Sequence, residues 1–142
     1  MSATTWKNEF YRVGAKSPTL KTKIQKIEHS LTKWIGIRDK NLKKHGLSKN
    51  EYGEIVEDGK EVIVMGGASC ALCVTFYDAH TGCPKCPLTK VRGGKSCDKE
   101  KDNEEQSPWR AWSEDEDLKP MIKLLRKALK AETVKKSERL KT

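Results

Sequence analysis

Every cysteine of the chain lies between residues 70 and 97, and the spacing of these cysteines constrains the fold more than any other sequence feature. Two C-x-x-C pairs, Cys70 with Cys73 and Cys83 with Cys86, are followed by Cys97. A two-residue spacer turns the chain so that both sulfurs face one side, and two such pairs can surround one tetrahedral ion. The pattern predicts a Zn²⁺ site. The two pairs form the simplest ligand set, and Cys97 is either a spare thiol beside the metal or a replacement for one of the four.

Other chemistries of clustered cysteines fit the sequence less well. An odd number of cysteines and an N-terminus without an apolar signal-peptide segment argue against a disulfide scaffold. The spacing differs from the C-x-x-C-x-x-C run of ferredoxins, and the alternating strand–helix pattern of C-x-x-C redox proteins is missing. His80 is an alternative ligand, but no H-x-E pattern of a zinc deaminase accompanies it. The sequence therefore predicts a closed, structural zinc site in a protein that is not an enzyme.

Composition supports a small core reinforced by a metal. Hydrophobic residues make up 35% of the 142 residues and charged residues another 35%. Such a chain buries little apolar surface, and a bound metal supplies cross-links that the core lacks. No run of about 18 apolar residues occurs, so we expect no membrane span and no membrane partner. We expect a cytoplasmic protein, and no small-molecule substrate is indicated.

Residues 1–49 read as a basic arm followed by a helix. The spacing of Trp6, Phe10 and Val13 suits a short helical turn or an arm that packs its aromatic side chains on the core. Ser17-Pro18 is typical of a helix start, and an apolar stripe continues from Leu20 to Trp34. A glycine cap at His45-Gly46 ends the pattern. We predict a helix over about residues 18–45, bent near Gly36.

Residues 50–97 read as a β-hairpin that leads into the zinc module. Asp58-Gly59 is a two-residue hairpin signal, and β-branched residues flank it on both sides. Before the hairpin, Ser48 and Glu51 have the spacing of a capping box for one helical turn.

Residues 98–142 read as an acidic loop and a closing helix. Ser107-Pro108 predicts a helix start, and Ser113 with Glu116 predicts a capping box for the last helix. We expect that helix to lose its apolar stripe and fray after about Thr133. The predicted fold class is α+β: one compact unit in which a hairpin and a zinc module lie between N-terminal and C-terminal amphipathic helices.

The net charge of +9 is unevenly distributed, and this points to a phosphate-rich partner. Residues 1–49 hold 12 Lys or Arg and 3 acidic residues, whereas residues 50–142 are balanced. Basic side chains near the cysteines and the aromatic residues Phe76 and Tyr77 could contact phosphates and bases. An ordinary solvated lysine face and a miniature core over the metal remain the alternatives. The predicted nucleic-acid-binding residues are Lys23, Lys26, Lys33, Arg38, Lys40, Lys85, Lys90, Arg92 and Lys95.

The cysteine segment also resembles a group of small uncharacterised proteins of tailed bacteriophages and prophages. The likeness is carried by C-A-L-C, then C-P-K-C-P-L, a fifth cysteine and a later Pro-Trp. The matching positions are Cys70, Leu72, Cys73, Cys83, Cys86, Pro87, Leu88, Cys97, Pro108 and Trp109. The resemblance implies a zinc-binding phage protein located in the host cytoplasm, with Cys97 near the metal, and it implies no activity.

Two kinds of partner follow from these observations. The charge excess of residues 1–49 favours nucleic acid or a nucleoprotein, with binding that weakens steeply as salt is added. The alternative is a protein–protein adaptor, or an inhibitor of a host enzyme, with an apolar patch around Trp109 and Trp112.

Overall fold

A computed structural model describes residues 2–78 and 82–141, which form seven α-helices and one small antiparallel sheet. The α+β class predicted from the sequence is therefore confirmed. None of the described helices combines the length and the apolar character needed to cross a bilayer. The elements are α1 (Ala3–Phe10), α2 (Lys23–Gly36), α3 (Asp39–Lys44), β1 (Ser48–Lys49), β2 (Glu54–Glu57), β3 (Lys60–Val64), α4 (Ala71–Phe76), α5 (Pro87–Val91), α6 (Pro108–Asp115) and α7 (Lys119–Lys141).

Helix α2 begins five residues later than Ser17-Pro18 suggested. Thr22 accepts a hydrogen bond from the backbone N–H of Gln25, and the Gln25 side chain accepts one from the Thr22 N–H at 2.9 Å. This reciprocal capping box satisfies two N–H groups at the helix start, which Ser17 does not do. The single predicted helix is in fact two helices, because α2 ends at Gly36 and α3 begins at Asp39.

Helix α1 packs against the end of α2, as the aromatic spacing predicted. Trp6 is fully buried, and its indole N–H donates a 2.8 Å hydrogen bond to the carbonyl of Gly36. The Phe10 ring lies directly against Gly36, where there is no space for a side chain. The missing Cβ of Gly36 is therefore what allows the two helices to approach.

The three strands pair in the order β1-β2-β3, all antiparallel. Asp58 and Gly59 both have positive φ angles, of 51° and 79°, which is the backbone of a tight hairpin turn and confirms the predicted hairpin. The predicted capping box before it is wrong, because Ser48 lies in β1 and pairs with Val56. A cross-strand ladder has replaced the local helical turn.

Helix α6 begins at Pro108 as predicted, with the Ser107 hydroxyl accepting from the N–H of Arg110 at 3.3 Å. The second predicted cap is wrong, because Ser113 lies inside α6 and Glu116 ends that helix in a left-handed conformation. Helix α7 starts at Lys119, which places Pro120 in the first turn, where proline is tolerated. The helix continues to Lys141, beyond the expected fraying point.

The buried core joins residues from all parts of the chain around α2. Helix α2 packs against α7, α4 and α1. Trp34 of α2 meets the rings of Trp109 and Trp112 edge-on, at centroid distances of 5.9 and 5.2 Å. Trp112 is 4% exposed and Trp109 is half-buried against the core, so the two rings do not form a freely exposed apolar patch.

Candidate metal centre

All five cysteines line one cavity of about 680 Å³, beside α2 and below α6. Cys70 immediately precedes α4 and Cys73 lies within it, while Cys86 immediately precedes α5. Cys83 and Cys97 lie in the flanking loops, and none of the five thiols is in a disulfide. The C-x-x-C turns therefore present their sulfurs to one shared space, together with Cys97.

The thiols face this cavity without closing on one ion position. Within residues 2–78 and 82–141, no three Cys, His, Asp or Glu side chains are grouped tightly enough to hold a metal ion. His80, the alternative ligand, lies outside the described residues. Thiols are nevertheless the donor type that structural zinc sites use most often, so the predicted Zn²⁺ stays a prediction for this cavity.

Burial keeps most of these thiols protonated at neutral pH in the metal-free chain. It raises the pKa of Cys86 to about 11 and that of Cys97 to about 12, and it is also the main cause of the raised pKa of Cys83. The pKa of Cys70 is instead well below its usual range, because Cys73 donates a hydrogen bond to it and the Lys33 charge is near. One thiolate is thus already favoured in the cluster.

Lys33 is a buried cation at the wall of the cysteine cavity. Its side chain is 1% exposed, and its ammonium group donates to the carbonyl and the hydroxyl of Ser69, at 3.0 and 3.1 Å. Burial lowers the pKa of Lys33, and the opposing effects come from Cys70, Cys73 and Cys97. Among the described residues no carboxylate pairs with Lys33, and Cys70 is the thiol beside it whose pKa is lowered.

This position removes Lys33 from the predicted nucleic-acid-binding surface, and Arg92 is removed for a similar reason. Arg92 is 5% exposed and donates to the Glu104 carboxylate at 2.8 Å and to the carbonyl of Lys95 at 3.3 Å. A further bond joins it to the carbonyl of Lys99. Arg92 therefore holds the loop that carries Cys97, and its charge is not available to a partner.

The other predicted basic residues remain at the surface, and two of them come together. Lys23 at the start of α2 and Lys90 of α5 lie close enough that the Lys23 charge, followed by burial and the Lys135 charge, lowers the pKa of Lys90. We call Lys23, Lys90 and Lys135 the lysine cluster. Nothing in the sequence singled out Lys135, because it lies far along the chain from Lys23 and Lys90 and is one of many basic residues in α7.

The remaining predicted contacts are spread over the molecule. Lys26 lies over the ring of Phe76 at 5.8 Å, and Tyr77 is 63% exposed at the mouth of the cysteine cavity. Arg38 is half-buried in a separate groove beside α3. The residues Lys40, Lys85 and Lys95 are exposed.

Comparison of the chain with protein-family models, with curated proteins and with solved structures finds no significant match. The resemblance to phage proteins stays a prediction.

Proposed function

We propose that this chain is a zinc-stabilised, non-enzymatic binding module of the phage accessory type, and that its partner is nucleic acid or a nucleoprotein. Thiols in and immediately before α4, immediately before α5 and in two loops would hold the metal, and the lysine cluster would contact phosphates.

The observation that supports the metal most strongly is the buried Lys33 beside five thiols. An ammonium group is costly to bury without a counter-ion, and none of the carboxylates in the described part of the chain pairs with Lys33. Four thiolates carry more negative charge than one Zn²⁺ cancels, so a bound zinc centre leaves an anionic site that Lys33 neutralises in part. The buried cation and the thiol cluster are therefore complementary.

Support for nucleic acid comes from the lysine cluster. Three ammonium groups on α2, α5 and α7 are held near one another, with Glu132 as a nearby acid at 3.6 Å from Lys135. Mutual repulsion between cations is relieved when a polyanion binds and releases counter-ions. Lys90 belongs to the helix that follows Cys86, so this surface is directly connected to the cysteine cavity.

Metal binding is tested first, by loading reduced protein with Zn²⁺ and measuring metal content and thermal unfolding. Cys70→Ser and Cys83→Ser should each reduce zinc content and lower the melting temperature, since the metal contributes directly to folding. Wild-type metal content and stability in both variants would contradict the zinc centre.

Nucleic-acid binding is tested by fluorescence anisotropy with labelled duplex and single-stranded DNA over a salt series. Affinity should fall steeply with salt, and the variant Lys23→Ala/Lys90→Ala/Lys135→Ala should flatten the slope of log K against log salt by about 2 to 3. A matched triple variant, Lys7→Ala/Lys60→Ala/Lys101→Ala, removes the same charge from exposed sites elsewhere. Equal loss in both triple variants would reject the lysine cluster as the binding surface.

A further inference from the structure

A second cavity, of about 990 Å³, lies on the other side of the α2–α7 core. It is an open groove between α3 and β1 on one wall and the first half of α7 on the other, which we call the α3–α7 groove. Its floor is apolar, and each floor residue is at most 5% exposed. The floor consists of Leu42, Leu47, Ile55, Trp112 and Ile122.

The rim of the α3–α7 groove is predominantly cationic. Five of its basic side chains form no ion pair with any carboxylate in the described part of the chain. A sixth, Lys49, is paired with Glu116 at 3.1 Å and lies 4.8 Å from the centroid of the Trp112 ring. Asp39 and Asp117 are the remaining acids, so the rim keeps a clear positive excess. The five unpaired cations are Arg38, Lys43, Lys119, Lys123 and Arg126.

We infer that the α3–α7 groove binds an acidic peptide segment of a partner protein, anchored by one or more aliphatic or aromatic side chains. Charge complementarity selects the acidic residues of the segment, and the apolar floor provides a place for its anchors. Burying such an anchor supplies affinity that rim charges alone do not.

Nucleic acid is the less suitable occupant of this groove. Phosphates and base edges would gain no hydrogen bonds from the aliphatic residues of the floor, whereas an apolar peptide side chain can pack on them. The groove is also remote from the lysine cluster, because Lys123 and Lys135 are separated by about 18 Å along α7. The two surfaces can therefore be occupied independently, and this inference does not depend on the proposed function.

The inference is tested by selecting short random peptides displayed on phage against the purified protein. We expect the selected peptides to be enriched in Asp and Glu together with Leu, Phe or Trp. Selection of peptides without an acidic excess would overturn the inference.

A synthetic, labelled peptide from that selection is then titrated against three proteins. The groove variant Lys123→Glu/Arg126→Glu should bind about tenfold more weakly or worse than wild type. The control variant Lys127→Glu/Lys130→Glu makes the same charge change on exposed positions of α7 that do not line the groove. Circular dichroism confirms that both variants are folded.

Equal affinity of the groove and control variants would overturn the inference. A second contradicting result combines two observations: duplex DNA displaces the peptide, and DNA binding is lost in the groove variant but kept in the control variant. That result would assign the groove to nucleic acid.

Discussion

The ammonium group of Lys33 lies 3.0 Å from the carbonyl oxygen of Ser69, the residue immediately before Cys70. This contact ties the middle of α2 to the start of the cysteine segment, inside the protein. The sequence pattern predicted Lys33 at the surface, but its charge lies at the wall of the cysteine cavity, where it affects the candidate metal centre.

Replacing this cation should affect the metal-bound and metal-free proteins differently. Lys33→Met removes the neutralising charge, and we expect zinc affinity to fall by about tenfold. In the metal-free chain the same change removes a buried ammonium group, so stability should be unchanged or higher. Competition with a chromogenic zinc chelator and denaturant unfolding give the two values.

The matched control is Lys26→Met, which removes a half-buried lysine of the same helix that lies over Phe76. It should leave zinc affinity unchanged. An equal loss of affinity in both variants would mean that Lys33 does not act through the metal centre.

The pH dependence of stability should reverse when zinc binds. The pKa values of Cys86 and Cys97, about 11 and about 12, lie above the value of about 8.5 for an unfolded thiol. Their protonated forms therefore stabilise the metal-free fold below about pH 8.5, and this contribution is lost as pH rises towards about 11. The lowered pKa of Cys70 opposes this trend in part.

With zinc, protons compete with the metal for the thiolates, so affinity and stability should rise from about pH 6 to about pH 8. Thermal unfolding with and without zinc from about pH 6 to about pH 11 measures both trends. Parallel pH curves for the two forms would contradict a thiolate metal centre.

Adding one methyl group to Gly36 should separate α1 from α2. A Cβ at this position would lie 2.5 Å from Cγ and 2.6 Å from Cβ of Phe10, atoms close to the backbone that cannot easily move. We expect Gly36→Ala to lower the free energy of unfolding by about 1–3 kcal/mol. Gly14→Ala is the control, because nothing lies within 4 Å of its added Cβ, and it should be neutral or slightly stabilising. Denaturant unfolding compares the two variants.

Removing Arg92 should release the loop that carries Cys97. Arg92→Met breaks the buried pair with Glu104 and the bonds to two loop carbonyls, at a cost of about 2–4 kcal/mol of stability. Limited proteolysis should then cut between α5 and α6. The control Arg110→Met breaks two ion pairs of a 44% exposed arginine, and it should cost much less stability because solvent screens these pairs. Unchanged protease resistance in Arg92→Met would contradict the anchoring role.

Features of the fold that depend on neighbouring residues could be predicted from the sequence. Asp58-Gly59 requires positive φ angles at both positions, so the hairpin follows from two residues, and Ser107-Pro108 starts a helix in the same local way. Ser48 was misassigned because its partner, Val56, lies across a turn. A long-range strand pair can override a local capping pattern, and spacing along the chain does not reveal it.

In the candidate site, too, local features could be predicted from the sequence and long-range contacts could not. All five cysteines line one cavity, as their clustering in the sequence suggests, although the C-x-x-C turns bring together only the two members of each pair. The burial of Lys33 and Arg92 could not be predicted, since both look like solvated charges until α4 and the loop after α5 pack over them. Lys135 joins Lys23 only through the packing of α7 against α2. Contacts between charged residues that are distant in the sequence can be identified only from the tertiary structure.

The packing of α7 against α2 also bears on how the chain is synthesised. Helix α2 leaves the ribosome well before its main helical partner α7, which starts at Lys119. The cysteine segment emerges between these two helices. Its reactive thiols and the unpaired hydrophobic face of α2 are therefore exposed while the core is still incomplete. Capture of the proposed metal during this interval would protect the nascent chain from oxidation and aggregation before α7 closes over α2.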